Sequence, residues 1–333
     1  MMISICIANY NGEKLIRDCL NSILAQKTTC SYEIIVHDDA STDNSCTIIK
    51  REYPKVTLIE SSKNVGFCES NNRMIKLAAG NYYLILNNDA VLLPGALETL
   101  YTGIASHPDD ILSLPQYDHD TMELLDFGMR MDLFANPIPQ KKYKGQEVAM
   151  VMGSLLLIPE NLWNQIGGFP NFFQSIAEDM YVCCAARILG RQVRCLDDAG
   201  YKHRVGNSFG GGKIKNKKLS TTYKRRKLSE RNKTYVILIT YPTLTLLILL
   251  PTHLLLLIFE GCVLSVLLRD TTPLKTIYLP VFSQIIHNRK EISNLRKKLQ
   301  EIRECSTWDF FRKFDIIPQK LKLILLHGAP SIN

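Results

Sequence analysis

The chain has 333 residues, 46% hydrophobic and 22% charged, an ordinary globular composition that excludes a disordered or low-complexity design. Its net charge of +8 is local, because residues 202–233 hold twelve Lys or Arg against one acid, Glu230. A general nucleic-acid binder spreads basic surface over its folded domain; this single block precedes the most apolar stretch and points instead to an anionic membrane surface.

The first hundred residues alternate strand and helix signals. Ile3 to Ala8 reads as a buried strand, and the next helix places Leu15, Ile16, Leu20, Ile23 and Leu24 on one face. Glu33 to His37 is a second strand, stopped by Asp38 to Asp43, which supplies capping residues for a helix over Asn44 to Glu52. Val56 to Glu60 is a third strand. Asn64-Val65-Gly66 then turns into a helix with Gly80 as its stop, and Tyr82 to Leu86 is the fourth strand. Strands separated by helices of this length imply right-handed crossovers and a parallel sheet, and ligands of such sheets bind beyond the carboxyl ends of the strands. Asn9, Asp38, Asp39, Asn64 and Asn87 to Asp89 all fall at those ends.

Beyond residue 110 the pattern is more irregular. Val148 to Ile158 reads as a strand, Glu160 to Gly167 as a short helix, and Glu178 to Leu189 as a helix with Val182, Ala186 and Leu189 inward. Residues 206–218 have the composition of a mobile loop, and 206–233 is read as a basic flexible linker. Residues 234–259 run without a formal charge, and 289–304 form a charged helix. Pro242 and Pro251 interrupt the uncharged run, and basic residues flank both sides. Broken helices in the membrane interface therefore fit better than one crossing, with a buried soluble hairpin as the alternative. Ten cysteines without a C-x-x-C pair exclude a zinc ribbon, and Cys6, Cys183 and Cys195 read as small buried hydrophobes. No basic lead precedes Ile3, so no secretory signal is read and the N-terminal domain is expected in the cytosol.

Three acids have the right types and places for chemistry. Asp89, after a buried strand, can hold a divalent cation against phosphates, or simply belong to a polar turn. Asp39 can accept the N3–H of uracil or thymine, or cap the helix that follows. Asp179 can take a proton from an attacking hydroxyl, or sit in a first helical turn because an acid suits the dipole. Gly210-Gly211-Gly212-Lys213 is not a phosphate-binding P-loop, since the spacing fails and Ile214 occupies the hydroxyl position.

The ordered set of motifs resembles glycosyltransferase family 2 over residues 2–235. Ile3 through Asn9-Tyr10-Asn11-Gly12 and Asp38-Asp39-Ala40-Ser41-Thr42-Asp43 are similar to the family's opening. Asn64-Val65-Gly66-Phe67, Asn71-Asn72, Gly80-Asn81-Tyr82, Leu86-Asn87-Asn88-Asp89, Gly153-Ser154, Ile166-Gly167-Gly168-Phe169, Glu178-Asp179 and Tyr201-Lys202-His203 follow in its order. The resemblance implies an α/β, Rossmann-like nucleotide-diphospho-sugar transferase fold of GT-A type, with an apolar helical tail that is membrane-associated. Residues 1–110 would form the nucleotide-sugar half, 111–205 the acceptor half, and 234–333 the tail.

It also implies roles. Ala8, Asn9, Tyr10, Asp39, Asn64 and Asn88 would contact the nucleotide; Asp89 and His203 would hold Mg2+ or Mn2+; Asp179 would be the base, with Glu178 supporting it. The family's metal motif usually carries two acids, whereas Asn88 here adds no charge. That Asn-Asn-Asp form is similar to many rhamnosyltransferases and leaves the donor as UDP- or dTDP-linked. The implied activity is inverting transfer of a sugar to a hydroxyl of a lipid-linked glycan in cell-surface polysaccharide synthesis at the cytosolic membrane face, without nucleic acid. A sugar nucleotidyltransferase and a non-catalytic sugar-nucleotide-binding scaffold are the alternatives.

Overall fold

A computed structural model describes residues 1–142, 145–204, 211–215, 218–327 and 331–332. The chain divides into one compact unit of Met1–Met129, Pro139–Ala186 and Arg191–Arg204, and a second of Arg130–Ile138, Arg187–Gly190 and Val205–Asn333. In chain order the elements begin β1 (Met2–Asn9), α1 (Ile16–Leu24), β2 (Ser31–Asp38), α2 (Ser45–Glu52), β3 (Thr57–Glu60), α3 (Phe67–Ile75), β4 (Tyr82–Asn87), β5 (Ala90–Leu92) and α4 (Ala96–Ser106). They continue with β6 (Ile111–Ser113), β7 (Gln116–Asp118), β8 (Leu124–Asp126), β9 (Met129–Asp132), β10 (Pro137–Pro139), β11 (Glu147–Val148) and β12 (Leu155–Pro159). Helices α5 (Glu160–Ile166) and α6 (Glu178–Ile188) and strands β13 (Val193–Cys195) and β14 (Tyr201–His203) follow.

The main sheet has the order β11-β13-β6-β12-β4-β1-β2-β3, and β5-β14-β7-β8 form a smaller one. β1 pairs in parallel with β2 and β4, β2 with β3, while β12 runs antiparallel to β4. The residues of β1 between Ile3 and Cys6 are buried on both faces, which is why the strand reads as a continuous apolar run rather than an alternating one. Ile3, Ile5 and Ile7 pack with Ile16, Leu20 and Ile23 of α1 and Leu97 and Leu100 of α4.

Several boundaries differ from the sequence expectation. Cys19, not Leu24, completes the inner face of α1; Leu24 is exposed. Helix α3 stops at Ile75, and Gly80 serves a close approach instead, since a Cβ there would lie 2.7 Å from Ser4 Oγ and 2.8 Å from the Met2 carbonyl. The strand expected over 148–158 is two, β11 and β12, because the residues between carry the chain from one side of β6 to the other.

The second unit contains the antiparallel pair β15 (Gly211–Lys215) and β16 (Lys218–Thr221), then α7 (Tyr223–Thr240), α8 (Thr243–Leu268), a π-helical turn at Leu274–Tyr278, α9 (Leu279–His287), α10 (Arg289–Glu301), α11 (Thr307–Phe311), β17 (Phe314–Asp315) and α12 (Gln319–His327). The expected flexible linker is therefore a helix from Tyr223 onward. Its Glu230, Arg231, Asn232 and Lys233 are buried because the charges pair internally. Glu230 receives Lys320 at 2.8 Å, Arg226 at 2.9 Å and Lys233 at 3.0 Å, and Lys320 also reaches Glu260 of α8 at 2.7 Å. The loop composition noted at 206–218 includes 206–210 and 216–217, which lie outside the described residues.

Pro242 separates α7 from α8 as expected, but Pro251 lies inside α8 and does not interrupt it. The missing N–H leaves one carbonyl of the preceding turn without its helical donor, which a 26-residue helix tolerates. His253, Leu257, Gly261 and Leu264 form one buried stripe of α8, whereas Leu247, Ile248, Leu255, Phe259 and Val266 are exposed. This helix is long and apolar enough to cross a membrane.

Candidate active site

The candidate residues gather in the first unit at the carboxyl ends of β1, β2 and β4. Asp38 and Asp39 close β2 and have separate duties. Asp38 accepts from Asn9 Nδ2 at 2.8 Å, the Ser41 amide at 2.9 Å and the Ser41 hydroxyl at 2.6 Å. Asp39 is buried, and its two carboxylate oxygens accept the Val65 amide at 2.6 Å and the Gly66 amide at 2.9 Å. Capping of α2 falls to Asp43, which receives the Ser45 amide and hydroxyl at 3.0 and 2.5 Å. Asp39 thus faces the turn before α3, not the helix that follows it in sequence. Asn64 lies beside it, donating to the Asp39 carbonyl at 3.3 Å.

Asn9, at the end of β1, joins this corner to β4. Its amide oxygen accepts from Asn88 Nδ2 at 2.9 Å, and its carbonyl accepts from the Asp39 amide at 2.8 Å. Gly12 leaves room for this pair: a Cβ would sit 2.0 Å from Asn9 Oδ1 and 2.6 Å from Asn88 Nδ2 and would displace both amides. Ala8 pairs in register between His37 and Asn87, and Tyr10 is exposed just past the strand.

Asp89 and His203 meet although far apart in sequence, because β14 pairs antiparallel with β5 and sets His203 opposite Ala90. Both side chains are buried. Asp89 Oδ1 lies 3.1 Å from His203 Nε2, yet no hydrogen-bond donor is aligned on that oxygen. Asn87 Nδ2 stands 3.4 Å from the same imidazole nitrogen, which suits a ring with its lone pair on Nε2. A carboxylate lone pair and an imidazole lone pair aimed at each other fit a cation between them. Neighbouring ligands of an octahedral Mg2+ are about 3 Å apart, close to the observed spacing. Among the described residues no third His, Cys, Asp or Glu joins them, so such an ion would depend on ligand oxygens and water for its remaining places.

Asp179 and Glu178 open α6, both buried. Asp179 accepts the Gly153 amide at 2.9 Å and the Met180 amide at 2.7 Å, so its place in the first turn also serves the helix. Gly153 precedes Ser154, whose carbonyl accepts the Asn87 amide at 3.1 Å. Short hydrogen-bonded steps therefore run from Asp179 through 153–154 to Asn87, and from Asn88 through Asn9 to Asp39.

The structure adds three supports, in which Gln116 and Asp126 are the residues that sequence reading missed. Gln116, Ser154 and Tyr201 form a buried network, with the Tyr201 hydroxyl 2.8 Å from Gln116 Oε1 and 2.7 Å from Ser154 Oγ. Asp126 of β8 is buried near His203 and Tyr201; burial pushes its carboxyl up to about 6, against the Gly128 amide that it accepts at 2.9 Å. The only trace in the sequence was an acid between apolar neighbours. Arg204 follows His203 and lies 3.5 Å from Asp120 and 3.7 Å from Asp18.

Comparison with known proteins fits this geometry. Residues 4–166 match the model for glycosyl transferase family 2. Over these residues, just under half of the chain, the sequence is similar to that family. A relative from Bacillus spizizenii, poly(ribitol-phosphate) beta-glucosyltransferase, is 39% identical over 116 residues, 33% of this chain and 18% of the relative. The matches cover 18–40% of the length of the first curated relatives. Among solved structures, S. aureus TarS 1–349 in complex with UDP-GlcNAc has a TM-score of 0.57 at 20% identity, over 90% of this chain and 91% of TarS. GalNAc-T7 with UDP, GalNAc and Mn2+ has a TM-score of 0.67 at 13% identity, over all of this chain and 59% of that one. The family 2 segment thus lies within a GT-A fold, the α/β architecture expected from sequence.

Proposed function

We propose that this protein is an inverting glycosyltransferase that moves a sugar from a UDP- or dTDP-linked donor to a hydroxyl of a glycan. The observation that carries the reading is the buried Asp89–His203 pair, Oδ1 and Nε2 3.1 Å apart with no hydrogen-bond donor aligned on Oδ1, at the sheet edge that also bears Asp39 and Asn88. In this reading the pyrimidine edge lies against Asp39, whose charge makes it a strong acceptor for the base N–H while Val65 and Gly66 hold its orientation. Ala8, Asn9, Tyr10 and Asn64 line the nucleotide, and Asn88 addresses the ribose. Asp89 and His203 hold Mg2+ or Mn2+, which offsets charge on the leaving diphosphate when bound.

Asp179 receives the proton of the acceptor hydroxyl as the oxygen attacks the anomeric carbon. The bond from that carbon to the diphosphate breaks on the opposite face, and the nucleoside diphosphate leaves. Glu178 supports this carboxylate. The UDP-GlcNAc held by TarS favours uridine over thymidine, and the relative named poly(ribitol-phosphate) beta-glucosyltransferase favours a polyol or glycan acceptor. The exposed apolar side of α8 and its basic neighbours favour work at the cytosolic face of a membrane, where a lipid-linked acceptor is locally concentrated.

A donor-hydrolysis screen across UDP- and dTDP-sugars, with and without Mn2+, tests this without knowledge of the acceptor. Release of nucleoside diphosphate from at least one donor is expected. Pyrophosphate release, or no binding of any nucleotide, would overturn the reading.

A further inference from the structure

The segment that leads into the base-bearing helix has an unusual backbone. Gln174, Ile176 and Ala177 have φ of 65°, 71° and 66°, and none is glycine. A β-branched residue at positive φ is a steric outlier, and Gln174, with ψ of −62°, is in the strained γ-turn region. Such conformations persist only where surrounding contacts impose them.

Those contacts come from α3. The Gln174 carbonyl accepts the Cys68 amide at 3.0 Å. It also lies where a Cβ on Gly66 would approach to 3.2 Å, so the start of α3 leaves little room beside this peptide. Farther along, Asn72 clamps the same stretch, accepting the Phe169 amide at 3.1 Å and donating to the Phe169 carbonyl at 2.8 Å. The other end of the lever is Asp39, which holds the amides of Val65 and Gly66. At the far end, Ala177 accepts the Tyr181 amide at 3.0 Å, the bond that starts α6, with Asp179 in between.

We propose that residues 174–177 are a strained strap through which occupancy of the Asp39 pocket sets the position of Asp179, with Gln174 and Ile176 as positioning residues. A base N–H on Asp39 shares the carboxylate charge with the Val65 and Gly66 amides and weakens their hold on it. Movement of that turn passes through Gly66 and Cys68 to the Gln174 carbonyl. The strained peptides between Gln174 and Glu178 transmit it because they hold no slack conformation of lower energy within those contacts. Donor binding thereby readies the base. The proposal rests on the nucleotide reading of Asp39 given above.

The test uses the full chain with UDP and dTDP as probes, binding being measured first by calorimetry. In the wild type, the bound nucleotide is expected to change amide exchange at residues 176–182 by about tenfold. Ile176→Gly, which relaxes the backbone, is expected to remove that response. Nucleotide Kd should stay within about twofold and the melting temperature equal or higher, while kcat for donor hydrolysis falls about tenfold or more. Ile176→Ala keeps the Cβ, and hence most of the strain, and should retain kcat within about threefold.

A bound nucleotide with no change of exchange at 176–182 overturns the strap and leaves the nucleotide site standing. Wild-type kcat in Ile176→Gly also overturns it, as does equal damage by Ala and Gly, which would assign the effect to side-chain packing. Failure of both nucleotides to bind overturns the nucleotide reading itself, and the strap with it.

Discussion

Replacing Asp89 by Asn separates function from stability at the candidate metal site. Asp89 is buried with 4% of its surface exposed, and Oδ1 has His203 Nε2 at 3.1 Å but no aligned donor. A buried acceptor without a donor forfeits about 1–3 kcal/mol of desolvation, more when charged. The carboxamide of Asn removes that charge and can donate to the imidazole lone pair at the same distance. Asp89→Asn is therefore expected to stabilise the nucleotide- and metal-free protein by about 1–3 kcal/mol, a rise of roughly 2–12 °C in melting temperature for a unit of this size. Donor hydrolysis should fall by about two orders of magnitude or more, since a neutral amide is a poor ligand for a hard cation. Thermal unfolding by circular dichroism, with chelator present, and hydrolysis with Mn2+ added are the assays. A variant that melts below the wild type while keeping its activity would refute the reasoning.

The other predictions concern separate links. Asp179→Asn should lower kcat about 10²- to 10⁴-fold while calorimetric UDP or dTDP affinity stays within about twofold. Gly12→Ala drives a methyl into the Asn9–Asn88 bond and should cost about 1–3 kcal/mol together with nucleotide affinity, measured by denaturant unfolding and calorimetry. Burial raises Asp126 from 3.8 to about 6, so its protonated form favours the folded state. That contribution is complete below about pH 4 and lost as pH rises through 6, about 3 kcal/mol in all, and Asp126→Asn should flatten this slope in melting curves from pH 4 to 7.5. Glu230→Gln strips the anion shared by Arg226, Lys233 and Lys320 and should destabilise the second unit by about 3–5 kcal/mol in urea titration.

The strands and helices of the first hundred residues were legible because each is a local pattern. Continuous apolar runs such as Tyr82 to Leu86 belong to strands buried on both faces, and helical spacing marks Ile16, Leu20 and Ile23. Strand-end acids follow from that pattern, so Asp39 and Asp89 could be named. The basic block misled because charge was read as exposure. Glu230 and Lys233 are buried on α7, where they pair with each other and Glu230 also receives Lys320 of α12, and composition does not reveal pairing. Pro251 misled for a related reason: proline reports a lost N–H, while the surrounding turns decide whether the helix continues.

Sequence alone determined the α/β alternation, the parallel core and the chemical types waiting at its edge, since periodicity and strand ends depend on neighbours a few residues away. Tertiary structure alone decided which of those groups meet. Pairing of β14 with β5 sets His203 against Asp89, Gly153 delivers its amide to Asp179, and the turn at Val65–Gly66 orients Asp39. Each of these contacts depends on register between distant segments, which no local pattern encodes. The left-handed backbone at Gln174, Ile176 and Ala177 belongs to the same class: nothing in those residue types favours it, and the packing of α3 against the segment imposes it.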